Sequence, residues 1–227
     1  MIIASVPQWL TSQYWQGRFR DHDTPWELGR PSVVLLEAFE ELDRLGAPLS
    51  GMRVLSPGSG RGSDALELAR RGAEVIAVDW SDIAVNDLKQ KSTTLVPSQG
   101  RIDINLGDFF QLAPREVDYV AEHTFFCAID PSSRRRYIER LAEWIKPGGY
   151  LVGNFFVLSE HAAAALPSLS LTQSGKGPPF ATTEKELDAL LSPFFEKVAL
   201  RQASAQEPDR RPGMEWVGIF QRSTNRR

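Results

Sequence analysis

A glycine-rich turn constrains the fold of this chain more than any other feature. Residues 54–56 indicate a short buried strand, and Gly58, Gly60 and Gly62 follow it just before the helical pattern of residues 64–71. Glycine permits a sharp turn and the close approach of a ligand, because it carries no Cβ. The next helix adds free N–H groups and the positive end of its dipole. The stretch therefore predicts a strand, a ligand-binding loop and a helix in succession.

A second strand follows and ends in a carboxylate. Residues 74–78 are an apolar run, and Asp79 comes directly after it, twenty-one positions beyond Gly58. An acidic residue at the tip of the second strand is where folds of this kind hold a nucleoside ribose. Dinucleotide-binding proteins place their third glycine one residue later, as G-x-G-x-x-G. The G-x-G-x-G spacing here resembles the S-adenosylmethionine (SAM) loop of class I methyltransferases, with nicotinamide binding as the alternative.

The rest of the chain alternates strands with amphipathic helices. This alternation implies a parallel sheet with right-handed crossovers, and two closing strands without a long helix between them imply an antiparallel hairpin at one edge. We predict an α/β Rossmann-like domain over residues 1–227, with a seven-stranded, mostly parallel sheet. The predicted strands are 53–56, 74–79, 102–106, 117–121, 150–158, 194–202 and 214–222. The predicted helices are 32–46, 62–71, 81–91 with Ser81 as N-cap, 132–145 and 183–191; the stretches 167–181 and 203–213 are predicted loops.

An aromatic segment precedes the predicted core of residues 32–227. Residues 1–31 are otherwise polar but carry Trp9, Trp15, Phe19 and Trp26. Aromatic side chains in such a segment usually anchor it to the body of the protein, since each buries a large apolar area. The segment is therefore either a packed arm or a lid that closes over the cofactor and excludes water from the reaction.

Composition excludes several classes of function. A formal charge of −3 and a pI near 5.7 give no electrostatic case for binding nucleic acid. The single cysteine, Cys127, excludes an intramolecular disulfide and fits a reducing compartment. The sequence has neither a membrane-length apolar run nor the pattern of a signal peptide. It also lacks a His, Cys and carboxylate cluster at ligand spacing, so no metal is predicted. We therefore expect a cytoplasmic protein that acts on a small molecule, as a monomer or a homodimer.

Several short motifs then occur together in one order. They are TPWELG (24–29), PGSGRGSD (57–64), VDWS (78–81), GDFF (107–110), FFCAI (125–129) and KPGG (146–149), with Trp15 eleven residues before Trp26. In this combination the chain resembles the thiopurine S-methyltransferase superfamily, over nearly its whole length. It is most similar to the branch of thiol, thiocyanate and halide methyltransferases. The resemblance implies a class I methyltransferase fold with an aromatic N-terminal lid, and SAM as cofactor.

The resemblance also implies a set of cofactor contacts, carried over position by position. They are Trp15, Phe19, Trp26, Leu28, Gly58, Gly60, Asp79, Trp80, Asp108, Phe109, Glu122 and His123. The chain departs from the family at three positions. Phe19 stands where the halide branch tends to carry another tryptophan, Ser59 replaces a cysteine, and His123 stands where a tyrosine is common. The third position lies beside the site of methyl transfer, so it bears on the identity of the acceptor.

Each role predicts a specific chemistry. Asp79 would accept hydrogen bonds from both ribose hydroxyls, and Asp108 would accept from the adenine amino group while the N–H of Phe109 binds a ring nitrogen. Asp79 could instead be a helix-capping or surface residue, and Asp108 could instead cap the turn at 109–113. His123 is the candidate catalytic residue, because a neutral thiol must lose a proton whereas a halide, thiocyanate or hydrosulfide ion needs no base. A structural histidine is the alternative.

The predicted function is methyl transfer from SAM to a small soft nucleophile (a thiol, sulfide, thiocyanate or halide), which leaves S-adenosylhomocysteine. The alternatives are an N- or O-methyltransferase of a small heteroaromatic metabolite, a nucleic-acid methyltransferase and a non-catalytic cofactor-binding module. The basic run 134–136 is predicted to form a solvated face, and Cys127 to be a buried small residue. Arg210 and Arg211 are the residues predicted to attract an anionic acceptor.

Overall fold

The computed structural model describes residues 8–96, 98–159, 177–204 and 213–224. Its helices are α1 Ser12–Arg20, α2 Val33–Arg44, α3 Ser63–Arg70, α4 Asp82–Ser92, α5 Arg134–Trp144 and α6 Glu184–Leu191. Its strands are β1 Arg53–Pro57, β2 Glu74–Asp79, β3 Arg101–Leu106, β4 Val117–His123, β5 Ile145–Phe156, β6 Phe195–Gln202 and β7 Glu215–Arg222. Two short 3-10 turns, Gln8–Leu10 and Pro131–Ser133, precede α1 and α5.

The strands of the described residues form one seven-stranded sheet in the order β3-β2-β1-β4-β5-β7-β6. β1 to β5 are parallel to one another, whereas β7 runs antiparallel to both β5 and β6. The predicted mostly parallel sheet with an antiparallel C-terminal hairpin is confirmed. The chain order reverses between β1 and β4, and such a reversal opens a crevice at the carboxyl ends of the strands.

Helices cover both faces of the sheet, which explains why its central strands are apolar along most of their length. Val54 and Leu55 are adjacent in β1 and both fully buried, yet they belong to different clusters. Val54 packs with residues of α2 and α3, whereas Leu55 packs with residues of α5 and α6. Successive side chains of a strand point to opposite faces, so each central strand contributes to two hydrophobic layers at once.

The element boundaries agree closely with the prediction except around α5. The predicted helix 132–145 begins as a 3-10 turn and becomes α-helical only at Arg134. β5 begins at Ile145 rather than at residue 150, because Ile145 pairs with Val117 across a register shift in β4. The Ser81 N-cap is confirmed, since its Oγ accepts a hydrogen bond from the N–H of Ala84 at 3.3 Å. Parts of both predicted loops, 160–176 and 205–212 with Arg210 and Arg211, lie outside the described residues.

The prediction of a solvated face at 134–136 is wrong at its first residue. Arg134 is fully buried, while Arg135 and Arg136 are exposed as predicted. Helical periodicity places Arg134 on the same side as Tyr137 and Ile138, which face the sheet. The predicted burial of Cys127 is confirmed. None of the helices in the described residues combines the length and the apolar character that crossing a bilayer requires.

Candidate cofactor and acceptor site

A cavity of about 390 Å³ opens at the carboxyl ends of the parallel strands. This volume is within the roughly 300–1,000 Å³ typical of small-molecule sites. Loops after four neighbouring strands form its wall, together with the aromatic N-terminal segment. Nine of the predicted cofactor residues line it: Trp15, Phe19, Trp26, Gly58, Gly60, Asp79, Trp80, Asp108 and Phe109. The fold thus brings together residues that are spread over nearly a hundred positions of the sequence.

The glycine loop passes too close to its surroundings for larger residues. Gly58 has φ +59° and Gly60 has φ +54°, a left-handed region that favours glycine. A Cβ at Gly58 would come closer than 3.0 Å to the ring of Phe125, and one at Gly60 would come that close to the carboxylate of Glu27. The main chain of both glycines lines the cavity. These positions therefore present backbone, rather than side chains, to whatever the cavity holds.

Asp79 connects the glycine loop to the tip of β2. Its Oδ2 accepts from the N–H of Gly60 at 2.8 Å, and its Oδ1 accepts from the N–H of Ser81 at 2.8 Å. The residue is 9% exposed, and burial raises the pKa of its carboxyl. A carboxylate can accept about four hydrogen bonds, so each oxygen retains capacity towards the cavity. This geometry suits the predicted grip on two ribose hydroxyls.

Asp108 and Phe109 occupy the neighbouring loop, after β3. Oδ1 of Asp108 accepts from the N–H of Phe110 at 2.9 Å, so this oxygen does serve the capping role that was the alternative prediction. The same residue lines the cavity, and capping one amide leaves its other oxygen available to a ligand. The Phe109 ring is buried against Tyr137 and Trp144, which fixes the main chain of this loop.

The N-terminal segment packs over the cavity. The rings of Trp15 and Trp26 meet edge to face with centroids 5.4 Å apart, and those of Phe19 and Trp26 are 5.8 Å apart. The Arg18 guanidinium stacks 4.7 Å from the centre of the Trp26 ring and donates to the main-chain oxygen of Asp23 at 2.9 Å. The segment therefore presents an aromatic surface to the cavity, which is compatible with both the packed-arm and the lid prediction.

Polar contacts attach this segment to the cofactor loop. The N–H of Arg61 donates to Oε1 of Glu27 at 2.9 Å, and the Arg61 side chain donates to the main-chain oxygen of Phe19 at 3.4 Å. The hydroxyl of Ser81 donates to Oε1 of Gln16 at 2.6 Å. The lid thus contacts the same loop and helix start that Asp79 binds. Glu27 and Gln16 were not predicted as site residues, although Glu27 lies within the TPWELG motif.

Leu28 and His123 lie at a smaller adjoining cavity of about 40 Å³. Gly58, Gly60 and Trp26 line both cavities, so the two share the glycine loop as a common wall. His123 is at the tip of β4 and does not line the larger cavity. The structure therefore brings it beside the glycine loop, on the side of the smaller cavity.

His123 is paired with an acid that the prediction did not include. Its Nδ1 lies 2.7 Å from Oδ2 of Asp64, at the start of α3, and Oδ1 of Asp64 accepts from the N–H of Ser32 at 2.7 Å. Burial alone would raise the pKa of Asp64, but His123 and the Ser32 N–H outweigh it and hold that pKa below its ordinary value. The contact spans 59 residues of sequence, which is why local patterns did not reveal it.

Glu122 lies in the core beside the cavity. The amides of Phe125 and Phe126 donate to its Oε1 at 2.9 and 2.7 Å, and the hydroxyl of Tyr137 donates to its Oε2. It is 1% exposed and lines neither cavity. In this arrangement Glu122 shapes the loop after β4, which does line the larger cavity. Its predicted direct contact with the cofactor remains a prediction.

We expect Glu122 to control stability in a pH-dependent way. Burial raises the pKa of Glu122 above its ordinary value of 4.5, so the folded state favours the neutral acid. Its stabilising contribution is therefore greatest below pH 4.5 and falls as the pH rises through the raised pKa.

Glu122→Ala should lower the free energy of unfolding by roughly 3 kcal/mol, because two amides and a hydroxyl lose their acceptor. Glu122→Gln should cost about 1 kcal/mol at pH 8, since its oxygen can still accept from both amides.

Urea denaturation of the three proteins between pH 4 and pH 8 tests this. The difference in unfolding free energy between wild type and Glu122→Gln isolates Glu122 from Asp79 and Glu27, whose pKa values are also raised by burial. A difference that does not change with pH would contradict the assignment.

Among the described residues, no three His, Cys, Asp or Glu side chains are grouped so that they could hold a metal ion. The groups that approach the cavity are instead carboxylates, backbone amides and aromatic rings. Hydroxyls, an amino group and a flat ring system are the ligand features that such walls bind.

Comparison with known proteins identifies the family. The family model "Thiopurine S-methyltransferase (TPMT)" matches residues 10–225. The chain belongs to the thiopurine S-methyltransferase family. It is a SAM-dependent methyltransferase, and its fold is that of the class I enzymes.

Individual relatives match most of the chain. A "Probable thiol methyltransferase 2" of Arabidopsis thaliana is 29% identical over 212 residues, covering 92% of this chain and 85% of that protein. A "Thiocyanate methyltransferase 1" of Brassica oleracea is 24% identical over 222 residues, with 97% and 90% covered. The crystal structure of Burkholderia thailandensis 1,6-didemethyltoxoflavin-N1-methyltransferase with bound S-adenosylhomocysteine superposes with a TM-score of 0.68 at 18% identity, covering 99% of this chain and 94% of that one.

The residues of this family member fit SAM. The two glycines present main chain to the cavity, at positions where a Cβ would overlap Phe125 or Glu27, and the buried carboxylate of Asp79 is already oriented by two amides. Asp79 and Asp108 are the residues that would hold the ribose and the adenine, and Trp15 and Trp26 line the same cavity. What sequence reasoning missed lies at the other end: Cys127, Ile129, Pro178 and Pro179 also line the cavity. The proline pair was a detectable signal, but it was included in a predicted loop.

Proposed function

We propose that this methyltransferase acts on a small soft nucleophile: a thiol, sulfide, thiocyanate or halide. The observation that carries the proposal is the apolar end of the cavity. β4 and β5 lie on the opposite side of β1 from β2 and β3, so residues after β4 and β5 lie away from Asp79 and Asp108. At this acceptor end the wall is formed by Trp9, Cys127, Ala128, Ile129, Pro178 and Pro179.

An apolar wall suits a soft nucleophile. Thiolates and large halides are less strongly hydrated than small, hard anions, so they enter such a site at a lower cost, and removing water from a nucleophile favours displacement. Asp130 is the acidic residue at this end, and its Oδ1 accepts from both the N–H and the hydroxyl of Ser132, at 2.9 and 2.6 Å. That oxygen is thus engaged in capping the 3-10 turn. The names of the thiol and thiocyanate methyltransferases among the relatives give independent support.

The protein contributes to this reaction mainly by positioning the acceptor. When bound, SAM supplies a methyl group on a positively charged sulfur that is already an excellent leaving group. The residues of the chain therefore need only to align the acceptor with the methyl group and exclude water. Correct positioning alone can remove about 7–11 kcal/mol from a barrier. The glycine loop and Asp79 fix one side of this alignment, while the lid and the acceptor end fix the other.

Product formation from a panel of acceptors tests the proposal. Release of S-adenosylhomocysteine should be measured with iodide, thiocyanate, hydrosulfide, an aromatic thiol and a thiopurine. We expect turnover with at least one of these sulfur or halide acceptors. Tight SAM binding without turnover on the whole panel would contradict the proposal. It would favour a nitrogen or oxygen acceptor, and the shared fold of the toxoflavin-type N-methyltransferase is compatible with that. Silence on heteroaromatic acceptors as well would indicate a non-catalytic module.

The proposed base role of His123 predicts a selective loss. His123→Asn and His123→Gln should reduce methylation of a neutral thiol about 100-fold, since general bases contribute roughly 10²–10⁴-fold. Methylation of iodide should be retained, because iodide has no proton to lose. Asp64→Asn keeps His123 but replaces its 2.7 Å partner, so it should also lower methylation of the thiol while sparing iodide. Equal losses on both acceptors would exclude the base role and leave His123 as a residue that shapes the smaller cavity.

We further propose a cytoplasmic enzyme that acts without nucleic acid, as a monomer or a homodimer. The net charge of −3 and the single cysteine support the first two statements. Light scattering of the purified protein with and without SAM would determine the oligomeric state.

A further inference from the structure

Arg134 is buried where a basic run was expected to be solvated. Its Nη2 donates to the main-chain oxygen of Phe180 at 2.7 Å, and both Nη atoms lie 3.2 Å from the oxygen of Ala181. Its Nη1 also donates to both carboxylate oxygens of Glu186, at 3.0 and 2.9 Å. The guanidinium stacks over the ring of Phe126, 4.5 Å from its centre. The side chain thus joins α5, α6 and the segment between β5 and α6.

The segment that Arg134 binds forms part of the acceptor end. Residues 177–182 include Pro178 and Pro179, which line the cavity. The N–H of Phe180 donates to the oxygen of Cys127 at 2.7 Å, so the segment also contacts the loop after β4. The ring of Phe180 meets that of Trp9 edge to face at 6.1 Å. This wall segment, residues 177–182, therefore connects the loop after β4 to the aromatic lid.

The sheet holds the far end of the wall segment more firmly than its cavity end. At Thr182 the N–H donates to the oxygen of Phe156 at 3.0 Å, and its oxygen accepts from the N–H of Leu158 at 2.8 Å. Its hydroxyl donates to Glu186 at 2.6 Å. The two residues before it have their carbonyls oriented by Arg134. The guanidinium thus holds the two carbonyls next to the proline pair, while the N–H of Phe180 is held by the oxygen of Cys127.

Arginine is suited to this position and lysine is not. The guanidinium is a planar fork with several donors, so it can bind two carbonyls and a carboxylate at once while stacking on a ring. A lysine ammonium is a point charge on a flexible stem. Removal of Glu186 would leave a buried charge with a poorer partner, which is unfavourable in a protein interior. Arg134 and Glu186 therefore act as a unit.

We propose that Arg134 is a positioning residue that sets the shape of the acceptor end of the cavity. It does so by holding the carbonyls of Phe180 and Ala181, and with them the proline pair. It does not line the cavity itself. This inference rests on the proposed function, which identifies the end of the cavity that receives the acceptor. Arg134 would thus influence which acceptor is bound. The basis of this role is its burial and its contacts, rather than attraction of the acceptor by its charge.

Two kinds of measurement test this on the full chain. The variants are Arg134→Lys and Arg134→Gln, with Glu186→Gln as a milder second variant if the first two fold poorly. Hydrogen exchange should show the Phe180 amide losing protection at least tenfold. KM for an aromatic thiol should change about tenfold, because movement of the proline pair alters the wall around the acceptor and a misplacement of about 1 Å can cost up to roughly 100-fold. The Kd for SAM should stay within about twofold, because Asp79 and the glycine loop are unchanged.

The controls separate positioning from general destabilisation. Arg135→Gln changes the exposed neighbour on the same helix and should leave all three readouts unchanged. Leu68→Ala truncates a buried side chain of α3 in the other hydrophobic layer, so it should lower Tm without shifting the acceptor KM selectively.

The outcomes are distinct. If the Arg134 variants lose SAM affinity and acceptor affinity in parallel, as a loss of stability would produce, the proposal is overturned. Unchanged protection at Phe180 overturns it as well. If the wild type turns over no acceptor, the proposed function fails by itself, and the hydrogen-exchange arm still decides whether Arg134 holds the wall segment.

Discussion

Asp79→Ala is expected to weaken SAM binding about 100-fold. The carboxylate can accept from two ribose hydroxyls, and hydrogen bonds to a charged group contribute about 1.5–3 kcal/mol each. The same substitution removes the acceptor of the Gly60 and Ser81 amides, so the glycine loop also loses its connection to β2. Isothermal titration with SAM and with S-adenosylhomocysteine measures the effect. A loss of less than threefold would exclude Asp79 as the ribose acid.

Two variants sharpen this prediction. Asp103→Ala removes an exposed carboxylate from neighbouring β3, where it pairs with Arg115 at 2.5 Å, and should leave SAM affinity unchanged. Asp79→Asn retains one acceptor oxygen but opposes the second amide with its own donor, so its affinity should fall between those of wild type and Asp79→Ala.

The pH dependence of SAM binding follows from the same residue. Burial raises the pKa of Asp79 above its ordinary value of 3.8, and only the ionised form accepts from both hydroxyls while bound to two amides. Affinity should therefore fall as the pH drops through this raised pKa. Asp79→Asn has no carboxyl to titrate at this position, so its affinity should depend less on pH over the same range.

Gly58→Val is expected to reduce SAM affinity at least about 100-fold. The left-handed backbone at Gly58 costs a residue with a Cβ roughly 1–2 kcal/mol. Its Cβ would also overlap the ring of Phe125, and overpacking of this kind typically costs a further 1–3 kcal/mol. Relief of the overlap must move either the loop or Phe125, and both line the cavity. Titration with SAM measures the loss, and thermal unfolding shows how much of the strain appears as instability.

Gly46→Val is the matched control for backbone strain. Gly46 follows α2 with φ +82°, and a Cβ there has nothing within 4 Å. This variant should lower Tm through backbone strain alone and leave SAM affinity unchanged. The double variant Gly58→Val, Phe125→Ala removes the overlap but keeps the strain, so it should recover part of the lost affinity. No recovery would show that the ring of Phe125 is not what excludes a side chain at position 58.

The lid and the acceptor end depend on each other in this architecture. Trp9 packs on Phe180, and the indole N–H of Trp15 donates to the oxygen of Trp9 at 2.9 Å. Phe180 is in turn held by Arg134. A continuous set of contacts therefore connects the helix over the cofactor to the wall around the acceptor. Arg134 contacts the wall segment directly and the lid only through it, so substitutions at Arg134 should alter acceptor selectivity more than SAM affinity.

Local patterns were sufficient for the fold and for much of the cofactor site. Each of the successful patterns lies within a few adjacent residues: the apolar strand runs, the glycine spacing and the Ser81 cap. Strands, turns and caps are formed by near neighbours in sequence, so local patterns can predict them. Asp79 was recognisable because strand tips of a parallel sheet meet at one edge. The sheet and its antiparallel hairpin therefore agree with the prediction, and nine of the predicted cofactor residues line one cavity.

The sequence by itself determined the class I fold, the glycine loop and the acid at the tip of β2, while the tertiary structure alone decided how the acceptor end is built. The sequence predicts a solvated Arg134 because its neighbours are arginines, but the partners that bury it lie 46 to 52 residues away. The sequence predicts His123 to be a base, but it does not reveal Asp64, the acid that contacts it from 59 residues earlier. Pairings over such distances arise only when the sheet brings loops together, and no local pattern records them.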